Sequence, residues 1–394
     1  MSNSLPYNCD TFQLFDPRRV PSPCFVVDEV AVERNLKILD RVQQESGATI
    51  LMALKAFSMP SMAPLISRYL KGCCASGLHE AKLAHEEFGG ELHTFSAAFS
   101  EQELPEILAL SDHIVFNSWG QWQRFRPLVT AAQQDKPNLQ VGLRVNPQHS
   151  EGTTEIYDPC AKGSRLGIIR EAFAGQDMAG ISGLHFHTLC EQGADALQRT
   201  LAAVEQQFAE FFPQLSWINF GGGHHISKPG YDVDGLIALI KAFRQRHPHL
   251  KVYLEPGEAI AIHSGVLVAE VIDITHNNID LAILDTSATC HMPDTLEMPY
   301  RADIFGAGEK NEKAQNYRLG GQTCLAGDVM GDYSFEQPLA IGQRLMFDDM
   351  AHYTMVKTST FNGIKLPTIA KWNSNTDELT IVREFGYDDF KSRL

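Results

Sequence analysis

The sequence predicts an α/β barrel followed by a β-rich domain, and three observations lead to this fold class. Short apolar runs alternate with amphipathic segments, which is typical of a parallel sheet with crossover helices. Eight such runs fall between Ile50 and Gly257, the number that closes a (β/α)8 barrel. Past Gly265 apolar runs follow one another without long helical segments, which indicates a separate sheet. We therefore expect a barrel at residues 25–264, a β-rich domain at residues 265–394, and an N-terminal segment, residues 1–24, packed with that domain.

The predicted barrel strands are short and rich in apolar residues, as strands buried on both faces are. In order they are Ile50–Lys55, Cys73–Ser76, His93–Ala97, His113–Asn117, Val141–Asn146, Gly183–Thr188, Trp217–Gly222 and Val252–Gly257. Apolar residues at helical spacing predict helices within 30–46, 78–89, 118–129, 196–212 and 233–247. Residues 152–167 read mainly as a loop. A doubly wound open sheet stays an alternative, because alternation alone does not establish closure.

In the β-rich domain the predicted strands are separated by turns and polar loops, the longest spanning residues 291–317. The predicted strands are Gly265–Asn277, Leu281–Thr286, Asn316–Gly321, Gln343–Asp349, Tyr353–Ser359 and Glu378–Glu384.

Composition excludes several classes of protein. The formal net charge is −15 and no run of Lys or Arg occurs, so nucleic acid is not an expected partner. No stretch of about 18 apolar residues predicts a membrane span, and the N-terminus lacks the pattern of a signal peptide. The eight cysteines are scattered without a CxxC pair, so we expect neither a metal centre nor a disulfide scaffold, and a cytoplasmic location. The acidity would suit a polycationic substrate, although many proteins are acidic without one.

Reactive side chains in such a barrel lie at the carboxyl ends of the strands. A lysine there, Lys55, could form a Schiff base with a carbonyl cofactor, or could simply reach out to solvent. Gly221–Gly223 could bring backbone N–H groups close to a phosphate, or form a flexible turn. Glu255 could keep a pyridine nitrogen protonated, or form a structural ion pair. His187 could stack on a cofactor ring, whereas we interpret His185 as a structural histidine.

In their order along the chain these residues resemble those of a known family, the fold-type III pyridoxal-phosphate-dependent decarboxylases. This family contains ornithine and diaminopimelate decarboxylases, and it has an alanine-racemase-like barrel. The resemblance runs from about Cys24 to Ile364. It rests on the segments MALKAF, CCASGLHE, GLHFHTLCE, INFGGG, LEPGE, GGQTCLAGD and AHYTMVKTSTFNG.

The resemblance implies pyridoxal 5'-phosphate as cofactor and a homodimer with shared active sites. Its implied cofactor-binding residues are Lys55 as the Schiff-base lysine, His187 stacked on the ring, Gly221, Gly222 and Gly223 at the phosphate, Glu255 at the ring nitrogen, and Tyr353 at the phosphate. Lys55 and Cys324 are the implied catalytic residues, and Cys324 would come from the partner subunit as a proton donor.

Three departures from the family pattern point to one branch. Glu258 stands where relatives usually have an arginine, Cys190 where many have a phosphate-binding serine, and Leu325 where many have an acidic residue. The segments EPGEA and LDTSATCHMPDTLEMPYR resemble carboxynorspermidine decarboxylases, which implies a carboxylated triamine as substrate and norspermidine or spermidine as product. Glu258 and Asp294 would then bind its ammonium groups.

Other interpretations remain open at this stage. An anion at Glu258 attracts an ammonium group and repels a distal carboxylate, which argues against diaminopimelate as substrate. Glu258 could also be an ordinary surface residue, and Asp294 an ordinary loop residue. The alternatives to the triamine enzyme are a diaminopimelate or ornithine decarboxylase, or a non-catalytic cofactor-binding or regulatory homologue on the same barrel.

Overall fold

The computed structural model describes residues 9–152 and 154–394. The chain divides into two compact units. One is Asn35–Ile260, and the other combines Ala261–Leu394 with the described residues that precede Asn35.

A parallel sheet that closes on itself forms the centre of the Asn35–Ile260 unit. Its strands are Thr49–Ile50, Met52–Ala53, Gly72–Ala75, Glu91–Phe95, His113–Phe116, Gln140–Arg144, Gly183–His185, Trp217–Asn219 and Lys251–Leu254. The first predicted strand is split at Leu51: its first half pairs with the last strand and its second half with the next one. The eight predicted strands are thus confirmed, and the sheet closes as a barrel rather than staying open.

Large side chains fill the inside of the barrel. Leu51, Val115, Trp217 and Tyr253 form one buried cluster contributed by four different strands. The two glycines on neighbouring strands leave room for the indole ring, because a Cβ at Gly142 or Gly183 would lie 2.3 or 2.1 Å from atoms of Trp217. Packing around Trp217 therefore explains why apolar strands contain glycine at these positions.

Helical segments follow most barrel strands and cover the outside. The α-helices of this unit, including one that begins before Asn35, are Glu29–Ser46, Ala63–Ile66, Leu78–Leu83, Leu104–Leu110, Trp119–Asp135, Ala194–Phe208, Val233–Arg246 and Glu258–Ala261. The helix Ala194–Phe208 buries Leu197, Leu201, Val204 and Phe208, the three- and four-residue spacing of a helix face. In the described residues of this stretch, 152 and 154–167, the one helical element is the short 3-10 turn Glu155–Tyr157, which agrees with the predicted loop.

A mixed sheet forms the centre of the second unit. Its strands are Cys24–Asp28, Gly265–Asn277, Ile279–Leu284, Gln315–Gly320, Val329–Phe335, Arg344–Phe347, Thr368–Asn373 and Glu378–Arg383. The strand Cys24–Asp28 pairs antiparallel with Gly265–Asn277 and parallel with Thr368–Asn373. It therefore belongs to this sheet, whereas the predicted boundary at residue 25 assigned it to the barrel. Short α-helices of the unit are Cys9–Phe12, Ala288–His291, Asp294–Glu297 and Tyr387–Lys391.

The prediction of strands in this unit is wrong in one place and incomplete in two. Tyr353–Ser359 forms turns instead of a strand, and Tyr353 has a φ of 40°, which extended backbone does not adopt. The strands Val329–Phe335 and Thr368–Asn373 were not predicted.

Both faces of the mixed sheet are buried at the strand Cys24–Asp28 and at the first residues of Gly265–Asn277. Phe25 and Leu267 belong to one apolar cluster, and Val26 and Val268 to another, as alternation along the strands requires. Phe12, Phe15 and Val20 of the N-terminal segment join the second cluster together with Trp372.

None of the helices in the described part of the chain combines the length and apolarity that a membrane crossing requires.

Candidate active site

Lys55 lies just after the first barrel strand, at the end where the carboxyl termini of the parallel strands meet. Its Nζ is 3.5 Å from Nε2 of His187, which follows the sixth strand. The Lys55 side chain is exposed, although protein atoms crowd its amine enough to reduce its solvation. This desolvation lowers the pKa of Lys55, although the nearby Glu255 carboxylate opposes the shift. The amine is therefore poised to act as a nucleophile.

The His187 ring is held in one orientation by backbone groups. The N–H of Gly222 donates to Nδ1 at 2.9 Å, so Nδ1 is an acceptor and the proton of the neutral ring is on Nε2. Burial and the charge of Lys55 keep the pKa of His187 well below its ordinary value, so the ring stays neutral. The guanidinium of the buried Arg144 donates to the His187 carbonyl at 2.8 Å, which fixes the backbone as well.

A buried carboxylate, Glu255, occupies the end of the last barrel strand. Its Oε1 accepts from Nδ2 of Asn219 at 2.7 Å and its Oε2 accepts from Nε2 of His185 at 3.1 Å. Burial alone would raise the pKa of Glu255, but the interactions with His185 and Asn219 outweigh it and lower the pKa to about 2. Burial lowers the pKa of His185, so a neutral imidazole donating through Nε2 is consistent with the geometry.

The glycine segment after the seventh strand packs directly on backbone. A Cβ at Gly222 would lie 2.1 Å from the carbonyl oxygen of Glu255, and one at Gly223 would lie 1.8 Å from that of Leu189. Gly221 has a φ of 68°, in the left-handed region that glycine adopts without strain. Side chains are therefore excluded here, which leaves a backbone-lined turn of the kind that approaches phosphate closely.

This donor set fits pyridoxal phosphate. It provides an amine with a lowered pKa, a neutral imidazole beside it, an ionised carboxylate and a turn without side chains. These are the groups that a carbonyl carbon, an aromatic ring, a pyridine nitrogen and a phosphate would contact.

Glu258, three residues after Glu255, begins a short helix and is partly buried. Its Oε2 lies 3.1 Å from Nε2 of His225. Glu191, His225 and Glu258 bring one ligand atom each to within 4.8 Å of one another. Cys190, beside Glu191, has a pKa raised to about 11 by burial and by the two carboxylates. Glu258 is therefore part of a charged cluster rather than an isolated surface residue.

The other three predicted site residues belong to the second unit. Cys324 is exposed, and its N–H donates to Oδ1 of Asn362 at 2.8 Å. Tyr353 lies in the turns that replace the predicted strand. Asp294 forms an ion pair with Lys357, so its charge is already partly neutralised.

Sequence reasoning overlooked the part that two residues play in orienting groups of the site. Asn219 and Arg144 were given no role, yet one orients Glu255 and the other binds the backbone of His187. His185, interpreted as structural, holds Glu255 as well. A usable signal existed for Asn219: a polar residue inside an apolar strand, two positions before Gly221, points toward the same face.

The chain matches a known family over most of its length. The family described as pyridoxal-dependent decarboxylase, C-terminal sheet domain, matches residues 24–351. A carboxyaminopropylagmatine decarboxylase from Synechocystis is 46% identical over 95% of this chain and 96% of its own length. A carboxynorspermidine/carboxyspermidine decarboxylase from Campylobacter jejuni is 45% identical over 95% of this chain and 99% of its own length.

A solved structure is also similar to this chain over nearly the whole length of both proteins. The carboxynorspermidine decarboxylase of Campylobacter jejuni, in complex with norspermidine, superimposes with a TM-score of 0.87 at 43% identity, covering 95% of this chain and 100% of that chain. The chain therefore belongs to the pyridoxal-dependent decarboxylases, in the group that contains the carboxynorspermidine/carboxyspermidine and carboxyaminopropylagmatine enzymes.

Proposed function

We propose that this chain decarboxylates carboxynorspermidine and carboxyspermidine, releasing CO2 together with norspermidine or spermidine. The observation that carries the proposal is the partly buried carboxylate of Glu258, three residues after Glu255. The resemblance places it where the wider decarboxylase family usually has an arginine. A carboxylate at this site attracts the ammonium groups of a triamine and repels the second carboxylate of diaminopimelate. The norspermidine complex of the similar Campylobacter jejuni enzyme supports the same class of ligand.

Each of these barrel residues would contact a different part of the cofactor. Lys55 would hold the cofactor through Nζ, with His187 beside it as a neutral ring. Glu255, oriented by His185 and Asn219, would hold a proton on the ring nitrogen. The turn Gly221–Gly223 would approach the phosphate. Bound pyridoxal phosphate supplies an electron sink for the pair left behind when CO2 departs.

The second unit would contribute the remaining groups. Cys324, an exposed thiol, would donate a proton to the reacting carbon in the site of a partner subunit, and Tyr353 would contact phosphate. Asp294 would bind an ammonium group in exchange for its pairing with Lys357. A homodimer with shared sites follows from these roles. The cytoplasm is the proposed location, in keeping with the free thiols of the adjacent Cys73 and Cys74.

A second candidate substrate is carboxyaminopropylagmatine, because the Synechocystis relative with that name is 46% identical. Its guanidinium end would also be attracted by Glu258. The charge of the site therefore favours a carboxylated polyamine of either kind over diaminopimelate or ornithine.

The proposal is tested by CO2 release from purified, cofactor-loaded protein. Carboxynorspermidine, carboxyspermidine, carboxyaminopropylagmatine, diaminopimelate and ornithine would be compared under the same conditions. We expect the highest kcat/KM with the first two. Preference for carboxyaminopropylagmatine would move the assignment to the second candidate. CO2 release from diaminopimelate or ornithine alone would contradict the proposed function. No release from any of the five compounds would indicate a non-catalytic homologue.

The role of Glu258 is tested separately with Glu258→Arg. Reversing this charge should weaken norspermidine binding far more than cofactor binding. An equal loss of both would assign Glu258 to the cofactor site instead.

A further inference from the structure

The cluster formed by Glu191, His225 and Glu258 brings three side chains of the barrel unit together from separate loops. Glu191 follows the sixth strand, His225 follows the glycine turn, and Glu258 follows the last strand. One side-chain N or O atom of each lies within 4.8 Å of the other two. Two of the three are carboxylates, so both would attract a cation that enters the cluster.

His225 gives an independent indication of a missing ligand. It is 5% exposed, and neither of its ring nitrogens has a hydrogen-bond partner among the described residues. Its Nε2 lies 3.1 Å from Oε2 of Glu258, but without hydrogen-bond geometry. A buried imidazole that faces two carboxylates and has no hydrogen bond is costly unless another group joins it.

The cluster lies on the same side of the barrel as Lys55. Cys190, beside Glu191 in sequence, lies near enough to Glu191, Glu258 and Lys55 for the charge of each to affect the pKa of its thiol. The turn that carries Glu258 also begins at Glu255, and the glycine turn that precedes His225 packs on the Glu255 carbonyl. A ligand bound at the cluster would therefore lie at the same end of the barrel as the reactive lysine.

We propose that Glu191, His225 and Glu258 form the subsite that binds the terminal ammonium group of the substrate. This proposal rests on the function proposed above and extends it to Glu191 and His225. A primary ammonium has three N–H donors, and the cluster offers three acceptors when the imidazole carries its proton on Nδ1. Charge-assisted bonds of about 2.9 Å place the acceptors around one ammonium nitrogen about 4.7 Å apart. Nε2 of His225 and Oε2 of Glu258, which are 3.1 Å apart, would therefore move apart to admit the ammonium group. The internal ammonium has only two donors and matches the cluster less well.

The test compares Glu191→Gln with the exchange of an exposed glutamate, Glu87→Gln, which removes the same charge from a helical segment leading into the third strand. Two substrates are used: carboxynorspermidine, and an analogue that ends in a methyl group instead of the terminal ammonium. We expect Glu191→Gln to lower kcat/KM for carboxynorspermidine about 10- to 100-fold and to change it less than about threefold for the analogue. Glu87→Gln should change neither.

His225 is tested with a conservative pair. His225→Asn keeps an acceptor at this position, whereas His225→Leu removes it, so the asparagine variant should retain more of the discrimination between the two substrates. Equal losses for both substrates in Glu191→Gln and His225→Leu, or no loss in either, would overturn the proposal.

Calorimetric titration of norspermidine into the cofactor-loaded enzyme does not depend on turnover, so it separates the two proposals. If Glu191→Gln binds norspermidine about 10- to 100-fold more weakly than the wild type, the result supports the subsite, even if CO2 is released from another carboxylated polyamine. Failure of the wild type to bind norspermidine would overturn it. The 3.1 Å separation of His225 and Glu258 would also fit a divalent metal ion. Stoichiometric metal in dialysed wild type that is absent from Glu191→Gln would therefore overturn the ammonium assignment.

Discussion

At the scale of single residues, the reactivity of Lys55 depends on how the barrel desolvates its amine. Burial lowers the pKa of this amine, so a larger fraction is neutral and nucleophilic near neutral pH than for a lysine on the surface. We expect Lys55→Ala to lower kcat about 10³-fold or more and to remove the visible absorbance of the bound cofactor. Steady-state kinetics and an absorbance spectrum check this. The exposed Lys71 provides the control, since Lys71→Ala should leave both unchanged.

Glu255 gives a prediction for the dependence of stability on pH. Its pKa in the folded protein is about 2, below the ordinary value of 4.5. The ionised carboxylate therefore stabilises the fold fully at pH values above about 4.5. The contribution is lost progressively as the pH falls from about 5 toward 2. The thermal unfolding midpoint of Glu255→Gln should therefore lie below that of the wild type at pH 6, and the gap should narrow by pH 3. A gap that stays constant or widens in acid would mean that the carboxylate is not held in its ionised form.

The residues of the site differed in how readily the sequence revealed them. Lys55 and Glu255 were predictable because a charged residue at the end of an apolar strand is conspicuous. Asn219 and His185 were not, because their roles depend on one carboxylate that both reach from different strands. Hydrogen-bond partners of this kind are far apart in sequence, and only the barrel geometry brings them together.

At the scale of elements, the glycine turn Gly221–Gly223 is the part of the site that least tolerates a substitution that adds a side chain. A methyl group at residue 222 would lie 2.1 Å from a backbone oxygen, so the turn or the last strand would have to move. We expect Gly222→Ala to cost about 1–3 kcal/mol of unfolding free energy and to weaken cofactor binding. Urea unfolding and cofactor titration check the two effects.

Gly120 is a suitable control for this substitution. It lies in the helix Trp119–Asp135, and the nearest atom to an added Cβ is the Ser118 hydroxyl at 4.0 Å. Gly120→Ala should be neutral or stabilising by up to about 1 kcal/mol. If Gly120→Ala destabilised the protein as much as Gly222→Ala, the close approach at the turn would not explain the effect.

The failed strand prediction at Tyr353–Ser359 has a local physical reason. The β-branched residues Thr354, Val356 and Thr358 recur at every second position, as on one face of a strand. Tyr353, however, adopts a positive φ that propensity does not anticipate. The missed strand Thr368–Asn373 has the opposite cause. It is stabilised by parallel pairing with Cys24–Asp28, more than 300 residues away, and a local pattern carries little information about such a partner.

At the scale of the whole molecule, the topology of the barrel was predictable, whereas the strand pairing of the mixed sheet was not. Every barrel strand pairs with its neighbour in sequence, apart from the first and last strands that close the ring, so a repeating strand–helix pattern determines the topology. In the second unit the strand before the barrel pairs with strands after it, so the sheet cannot be assembled from neighbouring segments alone. The boundary at residue 25 was misplaced for this reason.

The proposed sharing of active sites between two subunits predicts that two defective variants can complement each other. Lys55→Ala impairs the barrel half of a site, and Cys324→Ala impairs the half that the second unit would supply. If each site combines Lys55 of one chain with Cys324 of its partner, a heterodimer of the two variants contains one intact site and one doubly defective site. Random pairing after co-expression should therefore restore about a quarter of the wild-type activity, although each variant alone is strongly impaired. Activity no higher than the mean of the two variants would mean that each site is built from a single chain.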